Sequence, residues 1–124
     1  MTSLPHILFV CGRNQWRSPT AEAIYSSDPR IVVRSAGVSP QSPHQVNLKD
    51  IEWADLILVM EWKYKERIRS IGGGMRLPPI QCLAIPDKYR YMDEALVARI
   101  KTAANPLIQR LLDERSVDLS EGDR

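Results

Sequence analysis

Residues 7–22 read ILFVCGRNQWRSPTAE, and the architecture follows from how this stretch changes character. From His6 to Val10 the chain is continuously apolar, with β-branched and aromatic side chains, as in a strand buried on both faces. The run stops at Cys11. After a short loop, Ser18 and Pro19 open a helical stretch to Ser27, Ser18 suited to cap it and Pro19 to the first helical position. A buried strand, a tight loop and a helix are thus predicted in immediate succession.

The same alternation continues along the chain. RIVVRSAG (30–37) reads as a second strand ending in a glycine turn, and VSPQSPHQ (38–45), with two prolines and two serines, as a loop. NLKDIEWA (47–54) is a short helix capped by Asn47, DLILVM (55–60) a third buried strand, and EWKYKERIRSI (61–71) a third helix. GGGMRLPP breaks the chain, its glycines a flexible turn, before a fourth strand, Ile80 to Pro86. A long helix follows from about Asp93 to Leu112, its apolar stripe made by Leu96, Val97, Ile100, Leu107, Ile108, Leu111 and Leu112. Pro106 should kink or split it, because proline deletes a backbone donor and crowds the preceding turn. Residues 1–115 form one domain in this reading, and 116–124 a polar, frayed tail.

Strands alternating with helices predict an α/β protein: a central four-stranded parallel sheet, right-handed crossovers and helices on both faces, in three layers. In such sheets the site lies beyond the carboxyl ends of the strands. Cys11 to Ser18, Ser35 to Gly37, Glu61 and Asp87 all fall at those ends.

Bulk properties narrow the function. A chain of 124 residues makes one domain, and 44% hydrophobic with 26% charged residues is an ordinary globular balance. The formal net charge of +2 is only mildly basic, whereas a nucleic-acid binder would normally show a concentrated basic face, so no nucleic-acid partner is expected. No apolar run approaches the length of a bilayer span and the N-terminal stretch lacks a secretory pattern, so the expectation is a cytoplasmic protein without a membrane partner. Cys11 and Cys82 are too far apart for a CxxC site, so neither a metal nor a disulfide framework is expected.

The loop from Cys11 to Ser18 carries the chemistry. A short turn between strand and helix gathers its N–H groups into a concave anion nest, and the helix N-terminus adds to the field. Gly12, Arg13, Asn14, Gln15, Trp16, Arg17 and Ser18 would line that nest, with Arg17 forking two donors onto one anion. The ligand is then a tetrahedral oxyanion, best a phosphate monoester, and a sulfur beneath it is favoured as thiolate. Cys11 is placed for in-line attack, giving a phosphocysteine intermediate without metal or other cofactor. Ser18 would hydrogen-bond the sulfur. Asp87, after the fourth strand, is the candidate general acid. Asp93 competes for that role and otherwise caps the last helix.

These segments resemble the low-molecular-weight protein tyrosine phosphatases. LFVCGRNQWRSPTAEA resembles their phosphate loop, which runs cysteine, five residues, arginine, serine, proline. RSAGV, DIEWADLILVMEWKYKERI and IPDKY resemble that family's later segments in the same order, up to about residue 92. The resemblance implies metal-independent phosphomonoester hydrolysis, with Cys11 as nucleophile, Arg17 as clamp, Ser18 as sulfur partner and Asp87 as acid. It also implies that Asn14 holds an unusual backbone angle and ties the loop to Ser35. The chain departs from the pattern in four places: Arg13 stands where glycine is usual, Trp16 replaces a second cysteine, Lys88 replaces a proline, and the stretch from Gly37 to Asn47 is short. Phosphotyrosine proteins and small aryl or alkyl phosphates are both candidate substrates. A non-catalytic phosphate-binding module and an arsenate reductase are the alternatives, the latter needing a further thiol that Cys82, inside a strand, is poorly placed to supply.

Among the remaining residues, Cys82 reads as core and Trp53 as packing against the sheet. Trp62, Tyr64 and the surrounding lysines and arginines read as a solvated helix face. Trp16 either lines the pocket mouth or covers its helix, and Tyr89 either walls the cleft or packs on the last helix. His6 and His44 are assigned no chemistry, and oligomeric state is left open.

Overall fold

A computed structural model describes residues 4–122. The elements are β1 (His6–Cys11), α1 (Arg17–Tyr25), β2 (Val32–Gly37), α2 (Leu48–Trp53), β3 (Leu56–Val59), α3 (Lys63–Gly72), β4 (Ile80–Cys82) and α4 (Glu94–Gly122). The four strands pair in parallel in the order β2-β1-β3-β4. Right-handed crossovers then put α1 and α4 on one face and α2 and α3 on the other. The proximity of the helices agrees: α1 lies against α4 and α2 against α3, and the Tyr25 hydroxyl donates to Asn105 Oδ1 across the first pair. This is the expected three-layer sheet.

β1 and β3 are the inner strands, and Ile7 to Val10 and Ile57 to Val59 are completely buried. Their continuous apolar runs thus reflect helices covering both faces. The chain leaves β1 toward β2 on one side and returns to β3 on the other, which opens a crevice at the carboxyl ends of β1 and β3. In the registers Cys11 with Gly37 and Val10 with Val59, the end of β1 meets the ends of both neighbours.

Four local expectations need correction. β4 ends at Cys82, short of the expected Pro86, because Ala84 takes a φ of 55° and turns the chain, although Leu83 N and Ile85 N still donate to Val59 and Met60 carbonyls. α1 begins at Arg17, so Ser18 and Pro19 lie inside its first turn and Ser18 caps nothing. α4 is not split: it continues past Pro106, and past the expected end near Leu112, to Gly122. Pro106 is exposed, whereas Leu96, Ile100, Ala104 and Ile108 form a buried stripe at intervals of one turn on both sides of it. Core contacts before and after the proline hold the helix together despite the missing donor. The tail expected at 116–124 is therefore helical through Gly122, and residues 123 and 124 lie outside the described residues.

Two capping expectations match the structure. Asn47 caps α2 in a reciprocal box with Asp50, and Asp93 Oδ1 accepts from Ala95 N at the start of α4. No helix among the described residues is long and apolar enough to cross a membrane.

Candidate active site

The loop between β1 and α1 is held from outside by the turn that follows β2. Val38 N donates to Cys11 O at 3.0 Å and Ser39 N to Gly12 O at 2.8 Å. With those carbonyls drawn outward, the chain reverses at Asn14, whose φ of 52° asparagine tolerates better than most residues. The Asn14 amide nitrogen lies 3.2 Å from Cys11 Sγ.

A hydrogen-bond chain orders the sulfur's other side. Asn14 Nδ2 donates to both Ser18 Oγ and Ser35 Oγ, each at 3.0 Å, and Ser35 in turn donates to Glu22 Oε1 at 2.6 Å. Because Ser18 Oγ already accepts from Asn14, its own proton is free to point outward. Its neighbours are Cys11 Sγ at 2.9 Å and Ala36 O at 3.3 Å, and the shorter contact is to sulfur. Buried in the first turn of α1, Ser18 supports the sulfur instead of the helix end.

Arg17 is the most constrained side chain of the site. It is only 2% exposed, yet among the described residues no buried polar side-chain atom lacks a partner. Its Nη1 donates to Glu61 Oε2 (2.5 Å) and Ile85 O (2.7 Å), and its Nη2 to the Tyr64 hydroxyl (2.7 Å). A guanidinium has five N–H groups. After these three bonds, Nε–H and one Nη2–H remain, and Asp87 Oδ1 lies 3.6 Å from Nε, too far for a hydrogen bond. The remaining pair is suited to grip two oxygens of one anion.

Burial works against the Arg17 charge, but Glu61, Tyr64 and Asp87 outweigh it and raise its pKa above the ordinary arginine value. The Tyr64 phenol is pushed up to about 12, first by burial and then by Glu61, against the opposing pull of Arg17. It stays protonated and donates to Glu61 Oε2 at 3.0 Å. Burial would raise the Glu61 carboxyl, but the hydrogen bonds from Arg17 and Tyr64 and nearby positive charge hold it below the usual glutamate range. Its anionic form therefore stabilises the fold above that range, and this contribution is lost as pH falls through the depressed folded value. Glu61→Gln is expected to flatten the acid limb of stability below about pH 4.5 and to cost about 1–2 kcal/mol at neutral pH. Urea unfolding across the acid range measures both; an unchanged acid limb would refute this role.

Above the sulfur lies a cavity of about 180 Å³ lined by Cys11, Arg13, Gln15, Trp16, Arg17 and Asp87. Trp16, left open between two positions, is at the pocket mouth. Asp87 is 60% exposed and faces the cavity, whereas Asp93 is engaged as the α4 cap and does not line it. Of the two positions open to Tyr89, the structure shows packing on the last helix and not the cleft wall: it is buried, accepts from Arg99 on α4 at 3.5 Å and does not line the cavity. Gly12, Asn14 and Ser18 place no lining surface there, Asn14 and Ser18 serving behind the sulfur.

Two participants escaped the sequence reading. Tyr64, assigned to a solvated face, is 6% exposed and braces Arg17. Its spacing of four from fully buried Ile68 marks the inward side of α3. Glu61 was placed at the strand ends without a partner. His6 in fact stacks on Trp53 with ring centroids 4.4 Å apart, His44 bonds Asp50 at 2.8 Å, and Cys82 is only partly buried against the core. None of them lines the cavity.

The sheet order and the cysteine-floored loop define a class of scaffold, that of the low-molecular-weight protein tyrosine phosphatases, and the solved structures it matches agree. It superposes on the low-molecular-weight protein tyrosine phosphatase SP-PTP from Streptococcus pyogenes with a TM-score of 0.75 at 16% identity, over 93% of this chain and 98% of that one. YfkJ from Bacillus subtilis gives 0.73 at 22% identity (91% and 98%), and Vibrio vulnificus Wzb, solved with benzylphosphonate, 0.66 at 25% identity (87% and 99%). No family model and no curated protein sequence matches the chain.

Proposed function

We propose that this protein is a cysteine-dependent phosphatase that hydrolyses phosphate monoesters without a metal. The observation that carries the reading is the convergence on one small cavity of the Cys11 sulfur, the open edge of a braced Arg17 and the Asp87 carboxyl. The phosphatase fold and the benzylphosphonate complex of Wzb support it.

In the first step the phosphoryl group sits on the loop amides, with two of its oxygens on Arg17 Nε–H and Nη2–H. Cys11 Sγ attacks in line, an S–P bond forms, and the bond from phosphorus to the ester oxygen breaks. Asp87 delivers a proton to the departing oxygen. In the second step water attacks phosphorus, Asp87 takes its proton, and the S–P bond breaks to release inorganic phosphate. The Ser18 hydroxyl, 2.9 Å from the sulfur, stabilises it as it leaves.

The test is rapid-quench trapping of phosphocysteine, combined with leaving-group dependence. Asp87→Asn is expected to lower kcat on phenyl phosphate by about 10²-fold and to affect dinitrophenyl phosphate far less, because the better leaving group needs no proton. Equal losses on both esters would remove Asp87 from the acid role, and absence of a trapped phosphoenzyme would remove the covalent mechanism.

A further inference from the structure

Two guanidinium groups line the cavity above Cys11, and their electrostatic situations are opposite. Arg17 is buried and faces two carboxylates, Glu61 and Asp87. Arg13 is exposed and, among the described residues, has neither an ion pair nor a side-chain hydrogen bond. One cavity arginine is already balanced, and the other is not.

Arg13 also stands in a different part of the cavity. Cys11 and Arg17 are buried at its floor, where the phosphoryl group would meet the loop amides, whereas Arg13, Gln15 and Asp87 are exposed at its rim. The Arg13 backbone packs against the end of β2, its carbonyl carbon lying where a Cβ built on Gly37 would come within 2.8 Å. Its exposed side chain lines the cavity at the rim, where it can meet whatever the ester carries beyond phosphorus. Gln15 and Trp16 give the rim a carboxamide and an indole but no charge, and Lys88, whose Nζ lies 5.5 Å from the Tyr89 ring centroid, does not line the cavity.

We infer that Arg13 is a specificity-determining residue that pairs with a second anionic group on the substrate, a carboxylate or a further phosphate close to the phosphomonoester. This deepens the phosphatase reading and rests on it. A guanidinium fork matches either anion in two-pronged geometry, and its exposure makes the pairing modest and sensitive to salt.

The experiment compares kcat/KM for 3-carboxyphenyl phosphate, the 1,3-bisphosphate of resorcinol and neutral 3-carbamoylphenyl phosphate. Wild type should prefer an anionic substrate over the neutral one by about fivefold, the effect of a single exposed charge pair. That ratio should fall to about one in Arg13→Gln, whatever happens to the absolute rates, and shrink in high salt. The anion with the larger Arg13-dependent ratio is the one the rim is built for. An anionic preference that survives in Arg13→Gln, or its absence from wild type, would overturn the inference. So would an equal loss on all three esters, which would assign Arg13 to the phosphoryl group itself. The corresponding phosphonates, measured by calorimetric binding, separate this from the catalytic reading. If wild type hydrolyses none of the esters yet binds the carboxylated phosphonate more tightly through Arg13, catalysis falls and the second-anion site stands. If neither phosphonate shows an Arg13-dependent difference, the inference falls on its own.

Discussion

Cys11→Ser is expected to abolish turnover of an aryl phosphate, lowering kcat by about 10⁴-fold or more, while the variant still binds inorganic phosphate. The bonds around residue 11 explain the separation. Ser18 Oγ and Asn14 N converge on the sulfur and would equally orient a hydroxyl, so the bowl survives the change. A hydroxyl is a far weaker nucleophile than a thiolate at neutral pH, and serine brings no base of its own. Arg17 keeps its braces in Glu61, Tyr64 and Ile85 O, and with them its grip on the anion. Steady-state kinetics and calorimetric phosphate binding, measured together, decide the matter. Turnover within tenfold of wild type would end the nucleophile assignment. Loss of phosphate binding as well would show that the sulfur holds the loop together.

The second large effect belongs to a residue with no chemistry. Gly37→Ala is expected to destabilise the protein by about 2–4 kcal/mol and to weaken phosphate binding at the same time. A Cβ at residue 37 would lie 2.1 Å from Ser42 Oγ, 2.6 Å from Asn14 N and 2.8 Å from the Arg13 carbonyl carbon. The serine hydroxyl could rotate away, but the loop backbone could not. Asn14 N is the same amide that approaches Cys11 Sγ, so relief of the clash would distort the nest. The cost is steric, since Gly37 is not among the glycines with positive φ. Urea unfolding and phosphate affinity should move together; stability lost with affinity intact would place the strain elsewhere.

Much of this arrangement was legible in the chain. β1 and β3 were readable because a strand covered on both faces must be apolar throughout, and few other elements of that length are. The backbone angle of Asn14 was expected only through the resemblance of its loop to a known family, whereas Asp93 was readable because a carboxylate before a helix finds free N–H groups at once. The strand runs and the cap leave their mark in consecutive residues, even where distant groups satisfy them. Ser18 shows the limit. Its bond to the sulfur was expected and is present at 2.9 Å, but its place before a proline also suggested a cap, and α1 already begins at Arg17.

The chain by itself determined the order of strands and helices, the cysteine-to-arginine loop and the end of the sheet where its chemistry gathers, because period, turn chemistry and strand polarity are properties of adjacent residues. Tertiary structure alone decided that Tyr64 and Glu61 brace Arg17 across 47 and 44 positions, and that α4 runs unbroken through Pro106. It alone left Arg13 unpaired at the rim. Those outcomes depend on which distant groups share a buried volume and on the energy of leaving a charge there without a partner, and adjacent residues do not encode either.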